Sequence, residues 1–290
     1  MINSFVLFDA TFWFYLLAGL AYIGSLAFER APLAAAGRPA RTWGPGIGAT
    51  ATWLAAVGWA ANTAALILRG VEAGHVPWAN QFESMCLVAW GVIFVYLIFE
   101  RVYGIRVLGA FVVPVGFLAI GAASLLPYRY RAAEPLVPAL QSYWIWIHVT
   151  VTMIAYAAFA VAGGLAVAYL VKERSERRGV RGGMMERFPE SDVLDELTFR
   201  AIAVGFPLLA LGIILGAVWA RYAWGGYWSW DPKETWSLIT WFVYAAYLHA
   251  RMSHGWRGKK MAVFAVVGFF VVVFCYWGVN FVLSGLHSYA

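Results

Sequence analysis

Eight long apolar runs leave this chain few folds to choose from. They cover roughly residues 11–28, 50–69, 83–99, 107–126, 142–171, 200–219, 236–252 and 261–284, each rich in Ala, Leu, Val and Phe. About 20 apolar residues match a hydrocarbon core about 30 Å thick. Inside lipid every backbone N–H and C=O needs an internal partner, which only helices and closed barrels supply. The runs show no period-two alternation, so they predict helices. Charged residues are 12% of the chain against 62% hydrophobic, too few to clothe a soluble surface. The expected fold is all-α: a polytopic membrane protein of about eight transmembrane helices. The first run follows Asp9, with no basic segment before it and no small-residue cleavage site after it. It reads as a retained span rather than a signal peptide.

Charge sets the expected orientation. Sixteen of the 21 Lys and Arg fall in alternate loops, around Arg30–Arg41, Arg101–Arg106, Lys172–Arg200 and Arg251–Lys260. Basic residues collect in cytoplasmic loops. Both termini are therefore expected on the non-cytoplasmic side, and the net charge of +6 needs no nucleic acid to explain it. The polar stretch 172–199 reads as a cytoplasmic linker between a five-helix part, 1–171, and a three-helix part, 200–290. Cys86 and Cys275 both lie in apolar runs with no CxxC, so they read as buried free thiols.

One stretch fits neither a span nor an ordinary loop. Residues 219–241 hold six tryptophans, a Gly-Gly pair and the sequence Asp231-Pro-Lys-Glu-Thr. Scattered indoles can form an interfacial belt, but six in one charged segment make a flat apolar wall with N–H donors at its edge. Haem is the candidate ligand for such a wall. Asp231, Pro232 and Glu234 also have the pattern of a capping box, so a helix is expected to start there.

The topology sorts the five histidines. His148, at the outer end of the fifth run, and His287, past the end of the eighth, fall on the same side as the tryptophans. Two imidazoles approaching from opposite faces could ligate haem iron axially. His249 lies at membrane depth near the inner end of the seventh run, where an ionisable group suggests a functional site. With no obvious partner histidine in the chain, its companion ligand would come from another subunit. His75 and His254 read as solvated or hydrogen-bonded residues. Arg221, Lys233, Arg129 and Arg131 are candidate partners for haem propionates. Glu83 could cap the third helix or brace the platform.

Trp224, Trp228, Trp230 and Asp231, followed by Pro232-Lys-Glu-Thr-Trp236, resemble the Trp-rich motif of the CcsA (ResC) family of cytochrome c biogenesis proteins. Asn80-Gln-Phe-Glu-Ser-Met85, the surroundings of His148 and the C-terminal Asn280–Ala290 stretch resemble it too, so the similarity runs from about residue 76 onward. The resemblance implies a haem-handling subunit of a system II cytochrome c synthase in a bacterial cytoplasmic membrane. It implies haem b as substrate, held outside the membrane against Trp224, Trp228, Trp230, Asp231 and Trp236. His148 and His287 match the external ligands, and His249 matches a membrane ligand. It further implies a separate CcsB (ResB) partner and attachment of haem to the CxxCH cysteines of apocytochrome c. The alternatives are a haem exporter of the CcmC type without attachment activity, a di-haem electron-transfer cytochrome, and a solute transporter. The lone His249 argues against paired membrane haem ligands, and no inverted repeat supports a transporter.

Overall fold

The computed structural model describes residues 3–28, 46–179, 183–283 and 285–287; the basic residues Arg30, Arg38, Arg41 and Arg181 lie outside them. Among the described residues the long elements are eight helices: α1 (Ser4–Phe28), α2 (Ile47–Ala73), α3 (Gln81–Tyr103), α4 (Gly109–Ser124), α5 (Tyr143–Arg177), α6 (Ser191–Trp224), α7 (Pro232–Ser253) and α8 (Lys259–Val273). Helix α8 continues through a π-helical turn, Phe274–Gly278, into one more helical turn, Val279–Val282. No strand occurs among these residues.

Seven of these helices are long and apolar enough to cross a membrane, with α4 and α8 counted together with their adjoining turns. The exception is α7, which carries Lys233 and Glu234 in its first turn and Arg251 in its last. Its 22 residues still span about 33 Å at 1.5 Å per residue. Helices α5 and α6 outrun a bilayer, at 35 and 34 residues. Much of the expected 172–199 connection is thus helical: α5 runs on to Arg177 and α6 begins at Ser191.

Helix α5 is central and packs against α3, α4, α6 and α8; α1 pairs with α2 and α4, and α7 sits against α6 and α8. Buried aromatics lock these contacts. Phe159 of α5 stacks on Tyr244 of α7 with ring centroids 3.7 Å apart.

Buried polar groups mark the two ends of the bundle. At one end Ser4 N–H donates to Glu72, Arg69 Nε pairs with Glu83 at 2.8 Å, and Trp219 Nε1 donates to Ala139 O. At the other, the Glu100 carboxylate accepts from Tyr22, Thr52 and Tyr96 hydroxyls, and Arg251 pairs with Asp195. The start of α1 and the end of α8 therefore share the first end with the tryptophan segment. That segment is not one unit. Trp219–Trp224 closes α6, residues 225–231 form a loop, and Pro232–Trp241 opens α7. Helix α6 stops where Gly225 adopts φ of 82°, a left-handed conformation that glycine enters without strain, and its N–H bonds back to Arg221 O.

Candidate haem site

The site is built where the start of α5, the end of α6, the start of α7 and the residues after α8 meet. His148 sits on α5 one turn from Thr152, facing Gly212 and Gly216 of α6. A Cβ at Gly216 would stand 2.7 Å from His148 Cε1, so only glycine leaves room for the ring. His148 Nδ1 lies 2.8 Å from Gly212 O. A carbonyl can only accept, so Nδ1 carries the proton and Nε2 keeps its lone pair.

His287 reaches the same place from the far end of the chain. Its Nδ1 lies 2.7 Å from Asp231 Oδ1. Asp231 is 6% exposed and also caps α7: Oδ1 accepts from Lys233 N–H at 2.9 Å, and Oδ2 accepts from Leu286 N–H. Burial pushes the Asp231 carboxyl pKa up, but the hydrogen bonds from His287, Lys233 and Leu286 outweigh it, and the net direction is down. An ionised carboxylate accepts only, so His287 Nδ1 carries a proton, which in the neutral ring leaves the lone pair on Nε2. Neither Nε2 has a hydrogen-bond partner among the described residues.

Both imidazoles lie against one indole. Trp219, 1% exposed, lies parallel to His148 at 6.2 Å between centroids and tilted to His287 at 5.6 Å. Trp224 meets both Trp219 and His287 edge-on, at 4.6 and 4.9 Å. Beside them opens a cavity of about 190 Å³ whose walls include His148, His287, Trp78, Trp219, Trp228 and Tyr227. Its polar lining includes Gln81, Ser84, Lys233, Glu234, Tyr276 and Asn280. The Glu234 carboxylate is committed to the capping box, accepting from Ser229 N–H and Asp231 N–H.

Of the residues singled out in sequence, His148, His287, Trp224, Trp228 and Asp231 come together here. Trp230 stands apart at 68% exposure, with φ of 60°, a strained value for a bulky residue, and its ring meets Trp228 edge-on. Trp236 packs on Phe274 instead. His249 lies at the opposite end, exposed, with the His254 ring edge-on to it at 5.0 Å. Lys233 lines the cavity, whereas Arg131 is held near Phe5 and Ser124, and Arg221 binds Gly225 O. Glu83 accepts from Ala79 N–H beside Arg69, and His75 bridges Val76 O and Glu134 O; both brace loops.

Sequence reasoning gave no role to Trp78, Gln81, Gly212, Gly216, Tyr276 or Asn280. A signal for the glycines was present: Gly212-Ile-Ile-Leu-Gly216 is a GxxxG, which marks a close helix approach. Nothing in the sequence pointed to the π-turn.

The family model "Cytochrome C assembly protein" matches residues 78–287, the stretch that runs from Trp78 in the cavity wall to His287. The chain belongs to the cytochrome c assembly family. Within it, the chain is 44% identical to the cytochrome c biogenesis protein CcsA of Synechococcus elongatus, across 76% of this chain and 81% of that one. It is 46% identical to CcsA of Synechococcus sp. strain CC9902, across 78% and 82%. The CcsA resemblance read from the tryptophan motif therefore holds, and with it a role in cytochrome c biogenesis at a membrane. Among solved structures the cytochrome c haem lyase CcmF shares the fold, with a TM-score of 0.68 at 16% identity. That match covers 96% of this chain and 47% of CcmF, so the chain spans about half the length of that protein.

Proposed function

We propose that this chain holds haem b between His148 and His287 on the non-cytoplasmic side of a bacterial cytoplasmic membrane and presents it for attachment to the CxxCH motif of apocytochrome c. One observation carries the reading. Two imidazoles adjoin a single buried indole, each with Nδ1 held by an acceptor and with no hydrogen-bond partner at Nε2 among the described residues. Ligating histidines are oriented in this way in metal sites generally. Trp219, Trp224 and Trp228 supply an apolar wall for the porphyrin, and Trp230 extends it as an exposed ledge.

Bound haem supplies an iron for the imidazoles and vinyl groups for the reaction. Each attachment is an addition: a cysteine sulfur bonds one vinyl carbon, its proton passes to the other, and no net oxidation occurs. The chain's residues hold and orient, so the two thiols meet the vinyls at high effective concentration. The histidine of CxxCH would displace His148 or His287. A separate CcsB (ResB) subunit completes the synthase, and His249, at the opposite end, serves a second haem position with a ligand from that subunit.

The test is the haem spectrum of the purified chain, alone and with its partner. His148→Ala and His287→Ala should each convert a bis-imidazole spectrum to a mono-imidazole one. Haem retained unaltered in both variants would exclude these ligands. Changing Trp228 and Trp230 together to Ala should abolish maturation of a co-expressed apocytochrome; full maturation would remove the platform from the mechanism.

A further inference from the structure

The cavity has a polar floor that iron ligation and indole packing leave unexplained. Gln81 is 4% exposed, yet its Nε2 has no hydrogen-bond partner; the buried Trp78 Nε1, in the same lining, has none either. Lys233 donates to Asn280 Oδ1 and to Tyr276 O, at 2.5 and 3.2 Å, and an ammonium has a third N–H to place. No carboxylate lies within ion-pair distance of Lys233 among the described residues, although Asp231 and Glu234 are close in sequence. Asp231 is taken up by His287 and by backbone N–H groups, and Glu234 by the capping box. Buried donors, one of them a cation, cost free energy where their N–H groups find no acceptor, as at Gln81 Nε2 and Trp78 Nε1.

Local structure gathers these donors. Gln81 is the first residue of α3 and Lys233 the second of α7, so two helix N-termini, each a partial positive charge, face one space. The π-turn at Phe274–Gly278 re-phases the end of α8. Tyr276 O and Asn280 are thereby directed at Lys233, and Asn280 Nδ2 in turn donates to Gln81 Oε1 at 2.8 Å. That last bond fixes the Gln81 amide with its NH₂ group unspent. Short π-helical insertions recur at functional sites for this kind of re-aiming.

We infer that Lys233, Gln81 and Trp78 form a carboxylate subsite that takes a propionate of the haem. The inference rests on the proposed haem-holding role and adds an orientation to it. The propionates leave the porphyrin from the edge opposite the vinyls. Anchoring a propionate at the floor turns the vinyl edge outward, toward the exposed ledge of Tyr227 and Trp230 where a peptide can approach. Lys233 and Gln81 would then be positioning residues that decide which edge of the haem meets the thiols.

The experiment compares haem with its dimethyl ester, which keeps the iron, ring and vinyls but removes the negative charges. Titrated into the full-length chain in detergent, haem should bind roughly tenfold or more tightly than the ester, as expected for a hydrogen bond to a charged group. Lys233→Met and Gln81→Leu should each cut that preference toward one while keeping the bis-imidazole spectrum, which also shows that the variant is folded. Equal affinity of the wild type for acid and ester, or a preference untouched by both substitutions, would make the floor a hydrated pocket and overturn the subsite alone. A wild type with no imidazole-ligated haem would overturn the parent reading with it.

Discussion

At Asp231 one carboxylate meets two demands. It caps α7 through Lys233 N–H, and it holds the His287 imidazole through Nδ1. Substitution can separate them, because asparagine caps a helix about as well as aspartate does but brings no charge to the histidine. Asp231→Asn should leave thermal stability nearly unchanged and weaken haem binding about 10–100-fold, the usual cost of losing a partner behind a ligating histidine. Asp231→Ala should lose the cap as well, about 1 kcal/mol of stability. Haem titration and thermal melts of the two variants side by side are the measurement. If Asn binds haem as tightly as the wild type, the carboxylate is a cap and nothing more.

At the scale of elements, the site depends on how closely α5 and α6 approach. Thr152 and His148 of α5 lie over Gly212 and Gly216 of α6, and a Cβ at either glycine would fall 2.6 or 2.7 Å from a side-chain atom. Gly216→Ala should favour α6 itself, since alanine is the better helix former by about 0.5–1 kcal/mol, yet displace the His148 ring. Haem affinity should fall while the secondary structure stays intact by circular dichroism. Gly226→Ala, with nothing within 4 Å, should do neither. Much of this was readable in the sequence. The apolar runs announced the helices, and Asp231-Pro-Lys-Glu announced the start of α7. Chain order and alternating spans put His148 and His287 at one end of the bundle. Other parts were not readable. Gly212 and Gly216 sit in a GxxxG that serves equally well for plain helix packing. The π-turn depends on which way Asn280 must face, and no local pattern records that. Gln81 fell in a stretch that resembles the family, but its own role was not legible there, because only the fold brings it to the cavity.

For the whole molecule, the end-to-end division of charge is the basis for the proposed orientation. Among the described residues twelve Lys and Arg lie toward the Glu100 and Arg251 end, from Arg101 to Lys260, against Arg69, Arg129, Arg131, Arg221 and Lys233 at the haem-site end. By the positive-inside rule, this division supports the proposed placement of the cavity outside the cytoplasm. The two native cysteines are both fully buried, so thiol labelling starts from a low background. Gly226, in the loop beside the cavity, has open space for a side chain, and Arg177, at the far end of α5, is 68% exposed. A membrane-impermeant maleimide added to intact cells should label Gly226→Cys and leave Arg177→Cys unlabelled until the cells are opened. The reverse pattern would put the haem cavity on the cytoplasmic side, away from any exported apocytochrome. Because the start of α1 and the end of α8 share the cavity's end, cysteines introduced near Ser4 and Leu286 should label together with Gly226→Cys; labelling at Ser4 and Gly226 but not at Leu286 would mean that α7, the one long helix among the described residues that falls short of a membrane span by length and composition taken together, fails to cross.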